Sequence, residues 1–143
     1  MKTSSRCAAS ALATVTLLSL AGRPSHAAGP FDNDVARAQA LYSTYCAACH
    51  QANGEGLAGV FPPLKGSAVV NRADATKHID VVLAGLQGAR VSGVTYQNPM
   101  PAFAATLSDA DIATIIDYER GAWGNHGSLV GPAQVASVRA RLK

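Results

Sequence analysis

The stretch Cys46-Ala47-Ala48-Cys49-His50 decides how the rest of this 143-residue chain is read. Two cysteines three positions apart, with histidine directly after the second, form the attachment signature for a covalently bound haem. Each thiol adds across one vinyl group of the porphyrin, and the two vinyls sit on neighbouring pyrrole rings, so the porphyrin dictates the spacing. The next residue is then held under the iron, where its imidazole can serve as the proximal ligand. Other readings of Cys-X-X-Cys fail on context. A thioredoxin-like redox pair needs a βαβ unit, and a zinc cage needs a second cysteine pair that this sequence lacks.

Upstream, Lys2 and Arg6 make a positive head, Ala8 to Ala21 runs without a charge, and Gly22 and Pro24 break the run. Ser25-His26-Ala27 ends in the small residues that a signal peptidase reads. The apolar run is shorter than the ~20 residues that span a bilayer. Residues 1–27 therefore read as an export signal cut after Ala27 or Ala28, with a retained anchor as the alternative. Cleavage would remove Lys2, Arg6, Arg23 and Cys7, turning a formal charge of +3 into nine basic against nine acidic residues. A neutral chain gives no argument for binding nucleic acid or an anionic membrane surface, and no stable membrane insertion is expected after cleavage. Only Cys46 and Cys49 then remain, so a haem that takes both leaves no disulfide. Residues 28–143 make one small domain with a helical tail over about 125–143, in which the haem would form much of the core.

Val35, Ala38, Leu41, Tyr42 and Tyr45 fall at helical spacing. They predict a helix capped by Asn33 or Asp34 that runs straight into Cys46, with the thiols on its last turn. A second helix is predicted over 71–86, with Asn71 as cap, Asp74 three residues on, and Ile79, Val82, Leu83 and Leu86 along one face. Gly85 and Gly88 end it. His78, between Lys77 and Asp80 in this helix, reads as a solvated histidine on the polar face. Residues 90–98 set Val91, Val94 and Tyr96 against Ser92, Thr95 and Gln97, which suits either a short β-ribbon or an irregular loop.

The last long helix opens at Leu107-Ser108-Asp109-Ala110-Asp111-Ile112. Ser108 is the cap, Asp111 an aspartate version of the capping box, and Leu107 with Ile112 a hydrophobic staple. Ile112, Ile115, Ile116 and Trp123 point inward, with Tyr118 at their edge. Gly131-Pro132 starts a short tail helix with Val135, Val138 and Leu142 on one side and Arg139, Arg141 and Lys143 outside on a solvated face.

Two non-helical segments complete the candidate site. After His50, Gly54, Gly56 and Gly59 mark a loop, which is no phosphate cradle because no lysine follows in register and no strand precedes it. Val60-Phe61-Pro62-Pro63-Leu64 then returns to apolar character. It is either a stiff loop or a haem-packing segment in which a proline carbonyl accepts the remaining N–H of His50 and fixes the ring. Downstream, Asn98-Pro99-Met100-Pro101 places a methionine between prolines, which excludes a helix interior and holds the side chain in one direction. A lone methionine ordinarily fills a core. With Met1 lost, Met100 is the only thioether, so a methionine sixth ligand would have to be this one.

With Cys46-Ala47-Ala48-Cys49-His50 upstream, Pro62-Pro63-Leu64 between and Pro99-Met100-Pro101 downstream, residues 33–124 resemble the class I mono-haem cytochromes c. The resemblance implies an all-α fold in which the first and last helices cross against one covalent haem c, pairing Ala38, Leu41 and Tyr42 with Ile112, Ile115 and Ile116. It makes Cys46 and Cys49 the thioether links, His50 the proximal ligand of the iron and Met100 the distal one. Pro62 or Pro63 would be the carbonyl partner of His50, with Phe61 and Leu64 packing on the haem. The Gly93-Val94-Thr95-Tyr96 loop and Trp123-Gly124-Asn125 are similar to segments of cytochromes that accompany periplasmic dehydrogenases, nitrite reductases or terminal oxidases.

His/Met ligation implies a six-coordinate iron without an open position, hence a one-electron carrier in the periplasm and not an enzyme. It would shuttle electrons from a dehydrogenase or respiratory complex to a terminal reductase or oxidase. An edge framed by Val60, Phe61, Ala102 and Phe103 would dock by apolar contact more than by steering charge. Two alternatives stand beside this reading. One is a haem subunit of a larger redox complex; the other is a peroxidase or gas-binding protein, should Met100 not be bound. His126, in the loop Gly124-Asn125-His126-Gly127, is the competing ligand and is disfavoured by its loose setting.

Overall fold

The computed structural model describes residues 30–142, with side chains from Asp34 onward, so the expected export signal lies outside the described residues. Helix α1 (Pro30–Tyr45) begins ahead of Asn33 and Asp34, and neither residue is its cap. Proline suits that first turn, where its missing N–H would have had no partner. The helix stops one residue short of the first cysteine. Cys46 bends the chain, and a single turn, α2 (Ala47–His50), follows before Gln51 turns left-handed at φ 63°. The thiols thus stand at this junction and within α2, not on the last turn of α1. Tyr42 braces the junction by donating its hydroxyl to the Gln51 carbonyl at 2.7 Å. Val35, expected on the inner face, is 56% exposed, while Ala38 and Tyr42 are buried.

Helix α3 (Thr76–Ala84) starts five residues later than expected. Asn71 is engaged elsewhere, donating Nδ2 to the Ser67 carbonyl and to Asn125 Oδ1 and accepting the His126 amide. Asp74 serves the helix start instead, taking the amide and hydroxyl of Thr76 at 2.9 and 2.7 Å. Gly85 ends the helix at φ +75°. The open choice for 90–98 resolves to a two-stranded antiparallel hairpin, β1 (Ala89–Val91) and β2 (Val94–Tyr96). Its turn residues Ser92 and Gly93 both have positive φ, as a tight turn matched to strand twist requires.

Helix α4 (Asp109–Gly121) is the spine of the molecule, packed against α1 on one side and α5 (Pro132–Arg139) on another. Ser108 accepts the Asp111 amide at 3.1 Å, and its hydroxyl donates to the Asp111 carboxylate at 2.6 Å. Ile112, Ile115 and Ile116 are buried, as are Val135 and Val138 of α5. The tail departs from expectation in two ways. Leu142, in the closing 3₁₀ turn Ala140–Leu142, is 41% exposed. Arg139 is not on a solvated face: it folds back to Asp109 Oδ1 at 2.8 Å and to the carbonyls of Leu107 and Ala104, clamping α5 to the start of α4.

At the other end of α4, Arg120 is fully buried. Its guanidinium donates to the carbonyls of Ser128, Val70 and Arg72 at 2.6, 2.7 and 2.6 Å, tying the loops before α3 and α5 to the helix. Burial lowers its pKa, with Asp117 and Asp74 opposing the fall. Just beyond, Trp123 packs its ring against Tyr42 and Tyr118, with centroids 5.1 and 5.5 Å away. A Cβ at Gly54 (φ +68°) would lie 2.4 Å from that indole.

Removing the buried guanidinium by Arg120→Met leaves three carbonyls without donors, so the folded state should lose about 3 kcal/mol, read as a lower urea midpoint. Gly54→Ala combines backbone strain with overpacking and should cost about 2 kcal/mol in the same titration.

Candidate haem site

An apolar cleft opens between α2 with the loop 51–64 on one side and α3 with the segment 86–100 on the other. His50 closes one wall and is 7% exposed. Its Nδ1 lies 2.9 Å from the Pro62 carbonyl oxygen. A carbonyl can only accept, so Nδ1 carries a proton, and in the neutral ring this leaves on Nε2 the bare lone pair that a metal-ligating imidazole needs. Of the two prolines left open by the sequence, the carbonyl is that of Pro62; Pro63, Phe61 and Leu64 line the cleft beside it.

The loop delivers this carbonyl by close backbone approaches. Gly56 donates its amide to the His50 carbonyl at 2.9 Å. A Cβ at Gly56 would fall 2.4 Å from the Phe61 carbonyl oxygen and 2.7 Å from that of Pro62, so only glycine lets the two limbs of the loop meet. Leu57 and Phe61 exchange backbone hydrogen bonds at 2.9 and 2.8 Å, and the Gly54 carbonyl accepts from Leu64 and Lys65.

The opposite wall carries Met100. Its backbone pairs with Leu86 in both directions, at 2.8 and 3.1 Å, immediately after the end of α3. A Cβ at Gly85 would sit 2.6 Å from the Met100 carbonyl oxygen. The chain beyond is stitched to α3 as well, Phe103 to the Val82 carbonyl and Ala104 to that of Leu83. Phe103, expected at the cleft's edge, turns instead against Tyr45 with ring centroids 6.0 Å apart. Ala102 is exposed and not part of the lining, whereas Phe61 is half-buried within it.

The two cysteines of the junction form no disulfide with each other; Cys46 is buried and Cys49 is half-buried at the cleft. The Cys46 sulfur lies against the Glu119 carboxylate in a buried setting. His78 and Glu119 were not anticipated here. His78 is 4% exposed rather than solvated, and its Nε2 lies 2.8 Å from Glu119 Oε2 across the base of the cleft. The helical period carried the missing signal. His78 sits three residues after Ala75 and four before Val82, and Glu119 sits three and four after Ile116 and Ile115, both on inward stripes. His126 is exposed and outside the lining.

The residues fit a haem: two thiols within one turn, an imidazole with a bare Nε2, a thioether on the facing wall, and apolar sides between them. Among the described residues no group of three or more His, Cys, Asp or Glu side chains could hold a metal ion by itself, and no helix is long and apolar enough to cross a membrane.

Comparison with known proteins agrees with this geometry. The family model for Cytochrome c matches residues 35–123. Cytochrome c-552 of Thermus thermophilus is 38% identical over 90 residues, covering 60% of this chain and 68% of that protein. The cytochrome c subunit of alcohol dehydrogenase (quinone) from Gluconobacter oxydans is 35% identical over 100 residues, which cover 69% of this chain and 21% of that subunit. The gluconate 2-dehydrogenase cytochrome c subunit of Pantoea cypripedii is 35% identical over 103 residues, covering 69% of this chain and 23% of that subunit. The chain belongs to the class I cytochrome c family: a helix-dominated electron carrier, not itself an enzyme, whose cofactor is covalently bound haem c.

Proposed function

We propose that Cys46 and Cys49 carry the thioether links and that His50 and Met100 are the axial ligands of a periplasmic one-electron carrier. The observation that carries this reading is the hydrogen bond from His50 Nδ1 to the Pro62 carbonyl, 2.9 Å long. It orients the ring, selects the tautomer and makes Nε2 the better donor. Met100 is held from the opposite side by its paired backbone bonds to Leu86. Because both walls are fixed by backbone hydrogen bonds, neither ligand has to move when the charge at the centre changes. A haem with such ligands supplies a reversible one-electron couple whose potential the thioether raises. The apolar lining pushes the same way, since it disfavours the extra positive charge of the oxidised state.

The amino-terminal charge and cleavage pattern supports export, and covalent haem attachment would then be completed outside the cytoplasm. The names of the dehydrogenase cytochrome subunits support a dehydrogenase as electron donor; in this reading the acceptor is a terminal reductase or oxidase. The same likeness favours a second reading, in which this chain is the haem subunit of such an enzyme rather than a free shuttle. Half-buried Phe61 and exposed Leu57 and Leu86 give the partner an apolar rim.

Met100→Ala should abolish the weak far-red band of methionine-ligated ferric haem, lower the reduction potential, and let the reduced protein bind carbon monoxide. An unchanged spectrum would remove Met100 from the ligand set. Electron exchange with a dehydrogenase partner should vary by less than about threefold over a tenfold rise in ionic strength, because apolar contact rather than charge guides docking. A steep fall in stopped-flow rate with salt would show charge steering instead.

A further inference from the structure

Glu119 is a carboxylate for which the transfer of electrons has no use, yet it is 3% exposed. Burying such a group is costly unless it is paired and hydrogen-bonded. One partner is Nε2 of His78, 2.8 Å from Oε2. The other is the sulfur of Cys46, itself buried, which lies against the carboxylate. Tyr42, a further ionisable group beside Glu119, spends its hydroxyl on the Gln51 carbonyl instead. Cys46, Glu119 and His78 thus stand in a row: a nucleophile, a base against it, and a third group that orients the base. They come from the α1–α2 junction, from α4 and from α3, so only the folded chain assembles them. The two cysteines differ in access as well. Cys49 and Glu119 line the cleft, whereas Cys46 is not in the lining.

We propose that Glu119, positioned by His78, is the base that closes the Cys46 thioether, and that this bond forms after the one at Cys49. The inference rests on the thioether reading of the two cysteines. Before attachment, burial first and Glu119 next hold the Cys46 thiol well above its ordinary range, so its proton has to leave while the new bond forms. In that step the π pair of the vinyl group takes a proton from solvent at the outer carbon. A sulfur lone pair bonds to the carbon next to the ring, and Glu119 takes the thiol proton, which it then gives up to solvent. The sum is S–H added across one C=C bond, with nothing oxidised or reduced. Cys49, on the open lining, has no need of this help and ties the haem down first.

The test uses the full chain, produced in cells that carry a haem attachment system. Peptide mass spectrometry of the purified product reports which cysteine bears haem, and the pyridine adduct of the reduced haem moves to longer wavelength for each vinyl left unreacted. The unmutated protein should be joined at both cysteines, and pulse-labelled chains should pass through a form joined at Cys49 alone. Glu119→Gln should lose the Cys46 thioether and stop at that form, and His78→Gln should lose part of it. In a Cys49→Ser background Glu119→Gln should remove covalent haem, while in a Cys46→Ser background it should change nothing. Arg120→Met, which weakens the fold without touching Cys46, should keep both bonds. Wild-type levels of both thioethers in Glu119→Gln would overturn the proposal. So would equal losses at the two cysteines, or loss of the Cys46 bond in Arg120→Met, since either outcome assigns the effect to stability. A pulse-labelled form joined at Cys46 alone would overturn the order. Unmutated protein that yields its haem to acid extraction would instead sink the thioether reading itself.

Discussion

The hydrogen bond between His50 Nδ1 and the Pro62 carbonyl spans twelve residues, and the irregular backbone between them is shaped around it. A carbonyl cannot reach an imidazole at the end of α2 unless the chain reverses tightly. Gln51, Gly54, Gly56 and Gly59 all take positive φ to accomplish that reversal. Glycine is indispensable where a side chain would strike the opposite limb or Trp123, at Gly56 and Gly54. Trp123 in turn donates its indole N–H to the Ala52 carbonyl at 3.2 Å and packs at a tilt against Tyr42, whose hydroxyl holds Gln51. The loop is therefore clamped to both α1 and the end of α4, and the orientation of one imidazole inherits the stability of the helix pair.

A second clamp joins the remaining loops to the same helix. Arg120 gathers three carbonyls, and Asn125 bridges the Leu64 and Glu119 carbonyls with its amide while accepting from Gly66 and Asn71. These are long-range contacts between segments with no regular structure of their own. Buried side chains here take the part that backbone ladders take in a sheet, satisfying carbonyls that would otherwise be stranded. The cost of burying the guanidinium charge is offset by hydrogen bonds from all of its nitrogens, which is why a cation tolerates a site with no carboxylate bonded to it.

Much of this was legible in the residues. Ser108 and Asp111 announced the start of α4, Gly131-Pro132 that of α5, and the isoleucine stripe the packing of α4, because local capping and helical period report on themselves. The failures share a physical cause. Asn71 has every local mark of a cap but is drawn off by Asn125, fifty-four residues away. Arg139 looked solvated until Asp109 and two carbonyls folded onto it. His78 reads as a polar-face residue when taken alone, since only its contact with Glu119 makes burial tolerable. The helical period puts each on an inward stripe, but a pattern along one helix does not name a partner forty-one residues distant.

The two isolated backbone bridges carry a further consequence. Leu57 pairs with Phe61 next to the carbonyl that orients His50, and Leu86 pairs with Met100 itself. Both leucines are solvent-facing, 51% and 37% exposed. A partner surface that covers them would thus press on the outer faces of the segments that position His50 and Met100. Because each bridge is fixed by reciprocal backbone hydrogen bonds, such contact can bury apolar area without displacing His50 or Met100. Rigid walls and an apolar rim are in this sense one construction: the main chain fixes the positions of His50 and Met100 and leaves the leucine side chains facing outward.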